Sequence, residues 1–356
     1  MKPTTEALEQ VMRDLAGFGA KLKSGSRALP AVGSVNVGTT PKTVVAKMDR
    51  ATLYRFERDS PASIGVPLLI VYALVNRPYM ADLEPERSMV RRLLEAGVDV
   101  YLVDWGYPED DDRNLSLDDY INRYLDGFVD RILSDHGING VNLLGICQGG
   151  TFSICYAALR PQKVRNLITM VTPVDFHTPD NLLSKWVRDI DVDLMVDTLG
   201  NVPGHLLNWL FVALRPARNG GGKMLEMIDS IDEPERLKTF LRMEKWIHDS
   251  PDQAGQAFRQ FVTNFFQQNR LVRGDLMIGD LPVGLDRISM PVLNVYATLD
   301  HIVPPGASRA LKQHVSSSDY SELQFEGGHI GIYVSRQAQT LVAPHIARWL
   351  ADRSSD

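Results

Sequence analysis

Cysteine is scarce in this chain: 356 residues carry two, Cys147 and Cys155. Two thiols so close in sequence cannot staple a chain of this length, which excludes a disulfide scaffold and fits a reducing compartment. A metal-ligand pattern is also missing. The eight histidines are scattered and none pairs closely with a cysteine, so neither a metal nor another cofactor is expected. Long apolar runs are absent. The most hydrophobic stretch, Val66 to Val75, falls well short of the roughly 20 residues that a membrane-spanning helix requires. Met1 to Lys23 contains Glu6, Glu9 and Asp14 and has no apolar centre, so no secretory leader is expected. Nor is there an excess of positive charge. The net charge is −6 with acidic residues dispersed, which argues against nucleic acid as a partner, because phosphate binding requires a clustered basic surface.

What is present is an apolar fraction of 44%, enough for a sizeable core. Residues 5–23 repeat apolar positions (Leu8, Val11, Met12, Leu15, Phe18, Leu22) at helical spacing, predicting an amphipathic helix that docks on the core or on a partner. A Gly/Ser/Pro/Thr-rich linker follows to about Thr43. Strands and helices then alternate. Strands are expected at Val66 to Tyr72, Val98 to Val103, Val141 to Leu144 and Asn166 to Val171, with helices at Met89 to Ala96 and Gly149 to Leu159. Ser116 and Asp119 form a capping-box pattern before a helix whose Tyr120, Tyr124, Phe128 and Ile132 share a face. Such alternation implies an α/β fold, a mostly parallel sheet with helices on both faces. From about Thr178 to Asp286 the rhythm breaks into helical sequence containing Trp186, Trp209, Trp246, Phe261, Phe265 and Phe266, with Gly220 to Gly222 inside it. The expected organisation is therefore an N-terminal helix and linker over 1–43, a core over 44–177 and 287–356, and an inserted, mainly helical cap over 178–286. The core resumes with a strand from Pro291, a helix at Ser308 to His314, a strand at Ser321 to Phe325 and a final helix from Ser335 to Leu350.

The chemistry centres on Gly145-Ile146-Cys147-Gln148-Gly149-Gly150, which follows a predicted strand and opens a helix. This is the G-x-S-x-G elbow of the α/β-hydrolase fold with sulfur in place of oxygen. Glycines flank the central residue because the turn is too sharp for side chains, and the helix N-terminus favours an anionic nucleophile. Cys155 lies two turns further on, between Ile154 and Tyr156, and reads as a core thiol. In this fold the acid and the histidine follow the nucleophile in that order, each on a loop after a strand. Asp300 and His329 satisfy both conditions, giving a Cys-His-Asp set in which the imidazole takes the thiol proton and the carboxylate orients it. His301 is an auxiliary candidate, better suited to shaping the acid's loop than to proton transfer. The remaining histidines have no partner pattern. The expected oxyanion donors are the Gln148 amide and one amide between Ala73 and Asn76.

Five segments carry a family resemblance: Val71 to Pro78, Asp104 to Pro108, the Gly145 to Gly150 box, Asp300 to Pro304 and Gly327 to Ile330. Together they resemble the motifs of polyhydroxyalkanoate synthases over about Thr43 to Leu350. The short N-terminus and the Leu144 to Gly150 form of the box resemble the class III catalytic subunit. The resemblance implies Cys147 as the acyl-bearing nucleophile, Asp300 and His329 as its partners, and the Val75 and Gln148 backbone amides as oxyanion donors. It further implies an acyltransferase that polymerises (R)-3-hydroxyacyl-CoA, of short chain such as 3-hydroxybutyryl-CoA, into polyester with release of CoA. A non-catalytic second subunit, a homodimeric or hetero-oligomeric state, and cytoplasmic residence on polyester granules also follow from it.

Two rival readings remain at this point. A thioesterase or related hydrolase would use the same three residues with water as acceptor. A non-catalytic granule-coat protein would be expected to have lost one of them, and all three are present. A serine lipase is disfavoured because no serine occupies an elbow elsewhere.

Overall fold

The computed structural model describes residues 35–214, 230 and 233–354. The predicted helix at 5–23, most of the linker and the Gly220 to Gly222 break lie outside the described residues. Among the described residues, eight strands form one sheet: β1 (Lys42–Met48), β2 (Ala51–Phe56), β3 (Leu68–Val71), β4 (Val100–Asp104), β5 (Val141–Ile146), β6 (Val164–Met170), β7 (Val292–Ala297) and β8 (Tyr320–Phe325). Their spatial order is β1-β2-β4-β3-β5-β6-β7-β8. The first two form an antiparallel hairpin and β2 runs antiparallel to β4, whereas every later pairing is parallel. This is the α/β-hydrolase arrangement.

Burial explains which strands the sequence reveals. β3, β5 and β7 are buried at every position, because helices cover both faces of a parallel sheet and leave a continuous apolar run. The hairpin was not anticipated. β1 is an edge strand without a fully buried residue, KTVVAKM, and charged edges of that kind carry no run to detect. The helix expected at Ser308 to His314 is instead one short α-turn, Pro305–Arg309, continued by a 3-10 turn to Gln313.

Helices α1 (Met89–Glu95), α2 (Asp126–His136), α3 (Gln148–Leu159) and α9 (Arg336–Ala351) pack on the sheet. The Ser116 capping box forms: the Ser116 amide and hydroxyl donate to Asp119 Oδ2 at 2.8 and 2.7 Å. It opens a π-helical turn, Asp119–Leu125, that runs into α2. Tyr120, Tyr124, Phe128 and Ile132 are all buried, each contributing about 1.5–3 kcal/mol of burial. The central helix α3 is buried from Gly149 to Leu159.

Between β6 and β7 lie helices α4 (Leu182–Val187), α5 (Val192–Leu199), α6 (Gly204–Ala213), α7 (Pro234–His248) and α8 (Gly255–Phe261). The aromatic residues of this insertion divide into two groups. Phe261, Phe265 and Phe266 join Phe176 and Phe152 in edge-on and tilted contacts with ring centroids 4.7–6.0 Å apart, so they anchor the insertion to the sheet domain. Trp209 is instead 72% exposed.

Glycines in the turn before α3 are needed for space. A Cβ at Gly149 would sit 2.2 Å from the Val71 carbonyl oxygen and 2.6 Å from the Tyr72 carbonyl carbon, and backbone atoms of β3 and its loop cannot give way. Gly149→Ala is expected to lose about 1–3 kcal/mol by overpacking, read as a lower urea midpoint. An unchanged midpoint would show that the elbow is looser than these distances state.

Candidate active site

Strand β5 delivers Cys147 into a backbone conformation of φ 55° and ψ −125°, a region that residues with side chains rarely occupy. Hydrogen bonds on both sides hold it there. The Cys147 amide donates to the Met170 carbonyl at 2.9 Å, and the Gly150 and Thr151 amides donate to the Cys147 carbonyl at 2.9 and 3.3 Å. Gly145 and Gly150 cross so closely that a Cβ on the first would lie 2.4 Å from the Cα of the second. The half-buried thiol therefore stands at the N-terminus of α3, at the carboxyl edge of the sheet. Loops leaving the same edge bring the other groups: Asp300 follows β7 and His329 follows β8.

The three predicted side chains meet. His329 Nδ1 lies 2.6 Å from Asp300 Oδ2, with 7% and 0% of the two side chains exposed. Asp300 Oδ1 accepts from the Ile302 and Val303 amides, both at 2.9 Å, so the turn containing His301 wraps around the carboxylate. The Cys147 sulfur is close enough to the same imidazole to raise its pKa; with Nδ1 engaged by the carboxylate, the other ring nitrogen is left to face the sulfur. Burial works to lower the imidazole pKa. The Asp300 carboxylate and then the Cys147 sulfur, by charge and by hydrogen bond, outweigh burial and raise it to about 10. The ring thus bonds to Asp300 and faces Cys147, while His301 shares the acid's turn.

Cys155 is fully buried, and burial pushes its thiol up, as a core position requires. The Val75 amide, in the loop after β3, has no acceptor among the described residues. The Gln148 amide is the first of α3 and has no intrahelical acceptor. The preceding amide, that of Leu74, is taken up by the Gln148 side chain, donating to Oε1 at 3.0 Å.

No sequence pattern marks Tyr72 and Tyr333, whose phenols feel the charge of the Cys147 sulfur. Tyr72 and Tyr333 are fully buried with their hydroxyls 3.0 Å apart. Burial foremost, with Cys147 adding to it, raises both phenols so that they stay protonated. One lies in the loop after β3 and the other 261 residues later, and no local pattern links such positions.

No group of three or more His, Cys, Asp or Glu suited to a metal occurs among the described residues. A surface hollow of about 600 Å³ lies along the outer hairpin, lined by Arg55, Arg58 and Asp99, and contains none of the site residues.

Known proteins match this arrangement at two levels. The alpha/beta hydrolase fold family matches residues 66–335, and the family described as Poly-beta-hydroxybutyrate polymerase (PhaC) N-terminus matches residues 4–93. The Poly(3-hydroxyalkanoate) polymerase subunit PhaC of Allochromatium vinosum is 54% identical over 97% of this chain and 98% of its own. That of Thiocystis violacea is 50% identical over 99% and 100%, and that of Synechocystis sp. 47% over 97% and 94%. Among solved structures, a monoacylglycerol lipase of Paleococcus ferrophilus aligns with a TM-score of 0.52 at 19% identity, over 85% of this chain and 99% of that one. At that identity the likeness concerns the fold alone.

The raised His329 value fixes the sign of a pH effect. The folded-state pKa lies above the free value of 6.5, so the stability from the charged ring is fully present below pH 6.5 and is lost as pH rises through about 10. The melting-temperature advantage of the parent over His329→Gln is expected to shrink across that interval. A constant or growing gap would contradict the charge arrangement.

Proposed function

Since the chain belongs to the poly(3-hydroxyalkanoate) polymerase family, we propose that its polyester-forming acyl transfer runs through Cys147, His329 and Asp300. The observation that carries the mechanism is the His329 imidazole, bonded to the Asp300 carboxylate at 2.6 Å and raised in pKa by the neighbouring Cys147 sulfur. The Cys147 sulfur attacks the thioester carbonyl of an (R)-3-hydroxyacyl-CoA, and its proton passes to His329. The imidazolium is stabilised by Asp300, whose other oxygen is held by two backbone amides. The tetrahedral oxyanion is received by the amides of Gln148 and Val75. Collapse expels the CoA sulfur, which takes the proton from His329.

A thiol suits this sequence of steps. Transfer from CoA to cysteine exchanges one thioester for another, so the bound acyl group stays activated. Attack on it by the 3-hydroxyl of another hydroxyacyl unit then yields an ester and runs downhill. That hydroxyl must lose a proton, and His329 is the base in reach of the sulfur. Water would divert the same intermediate to free acid. The segment 178–286 acts as a cap over the site, and its contacts with the loop after β3, including Trp246 Nε1 donating to the Arg77 carbonyl at 2.8 Å, support that role. His301 shapes the turn around Asp300. Family membership favours polymerisation over the thioesterase alternative.

The preferred monomer we propose is 3-hydroxybutyryl-CoA. The relatives are named as polymerase subunits, which supports a complex with a second, non-catalytic chain. The working site is then the surface of cytoplasmic polyester granules. No helix among the described residues is long and apolar enough to cross a membrane.

With 3-hydroxybutyryl-CoA as substrate, CoA release is expected to come with insoluble polyester; release accompanied only by free 3-hydroxybutyrate would mark a hydrolase. Cys147→Ser is expected to form almost no polymer. Asp300→Asn keeps an oxygen for the two turn amides but loses the charge opposite the imidazole, so turnover should fall roughly 10³-fold with the fold intact. Near-normal polymer yield from either variant would sink the assignment.

A further inference from the structure

We propose that Gln253 is a positioning residue for the oxyanion hole: reaching from the helical insertion, its side-chain amide sets the direction of the Val75 N–H. The inference rests on the Val75 and Gln148 amides being the oxyanion donors. The Leu74 carbonyl and the Val75 N–H belong to one planar peptide unit and point in opposite directions. Whatever fixes the carbonyl therefore fixes the amide. Gln253 Nε2 donates to that carbonyl at 3.0 Å. Gln253 is 3% exposed, and its own backbone is pinned by paired hydrogen bonds with Val202 at 2.8 and 2.9 Å, so its head group has little freedom to wander.

The rest of the loop depends on the same segment. Asn76 holds a left-handed φ of 59°, a conformation that needs outside support. Its side-chain amide donates to the Trp246 carbonyl at 3.2 Å, and the Trp246 indole donates to the Arg77 carbonyl at 2.8 Å. From the elbow side the loop is held by Gln148 Oε1, which accepts from the Leu74 amide at 3.0 Å. Leu74 is thus clamped through its two successive peptide units, the first held by the nucleophile's neighbour and the second, the donor peptide, by the insertion. Seating the insertion and aiming the second oxyanion donor become one event, so a displaced insertion would leave an intact nucleophile with an incomplete hole.

Two reactions of the same sulfur separate this role from general damage. Acylation forms a bond from sulfur to the thioester carbon, places a negative charge on the carbonyl oxygen and expels CoA. Alkylation by iodoacetamide displaces iodide from a saturated carbon and develops no oxyanion. In Gln253→Met, which keeps the volume and removes the donor, single-turnover acylation by 3-hydroxybutyryl-CoA should slow about 10- to 100-fold, somewhat less than the loss of a donor outright. Cys147 alkylation should stay within about twofold of the parent. Gln253→Leu, which also removes the donor, should show the same split and serves if the methionine variant does not fold. Tyr107→Phe cuts a contact to Asp249 on the insertion without touching this peptide, and should leave both rates unchanged. Equal slowing of both reactions, or of neither, in the Gln253 variants overturns the proposal. A parent protein that is alkylated yet never acylated would instead overturn the polymerase chemistry on which it rests.

Discussion

The backbone of Cys147 at φ 55° is the constraint from which the site is built. A conformation of this kind costs on the order of 1–3 kcal/mol and persists only where the surroundings leave no alternative. Here the alternatives are removed by contact. Gly145, Gly149 and Gly150 let β5, α3 and the β3 loop approach to distances that no Cβ could share, while Met170 binds the cysteine amide from the neighbouring strand. The tightness of the turn lifts the sulfur to the carboxyl edge of the sheet, where the loops after β3, β7 and β8 also end. This is the crevice at which open parallel sheets bind ligands, where the chain reverses the direction in which it adds strands.

The proton chemistry follows from burial combined with pairing. A buried imidazole alone would be held neutral. Set against a carboxylate whose own side chain is fully shielded from solvent, it is instead raised to about 10, so it can hold a proton beside the Cys147 sulfur. The carboxylate is in turn kept by two amides of its own turn, which leaves its second oxygen aimed at the ring. Each group is oriented by a bond that does not take part in the chemistry. The buried, hydrogen-bonded pair Tyr72 and Tyr333 stays protonated and adds no competing charge.

The helical insertion is joined to this site by hydrogen bonds at the loop after β3 and by apolar packing against Ile302 in the turn around Asp300. Its aromatic side chains Phe261, Phe265 and Phe266 are spent on anchorage to Phe176 and the sheet domain. Polar atoms of Trp246 and Gln253 reach the loop next to Cys147. The face turned outward keeps Trp209, Leu194 and Leu199 exposed. Apolar anchorage thus holds the segment down, and directional hydrogen bonds tie it to the loop beside Cys147.

Much of this was legible in the chain itself wherever the physical cause acts locally. The elbow is written in six residues because glycine spacing and the strand-to-helix change occur within one turn. Strands β3, β5 and β7 announce themselves because two-sided burial leaves an unbroken apolar run, and Asp300 and His329 because each follows such a run or a shorter one in fold order. The outer hairpin left no such mark, since a solvated, charged edge strand has no face that must be apolar. Only the tertiary structure decided that Gln253 would meet Leu74 across 179 positions, or Tyr333 meet Tyr72 across 261. A hydrogen bond between distant segments imposes no periodicity and no composition on either one, so its partners become visible only when the folded sheet sets them side by side.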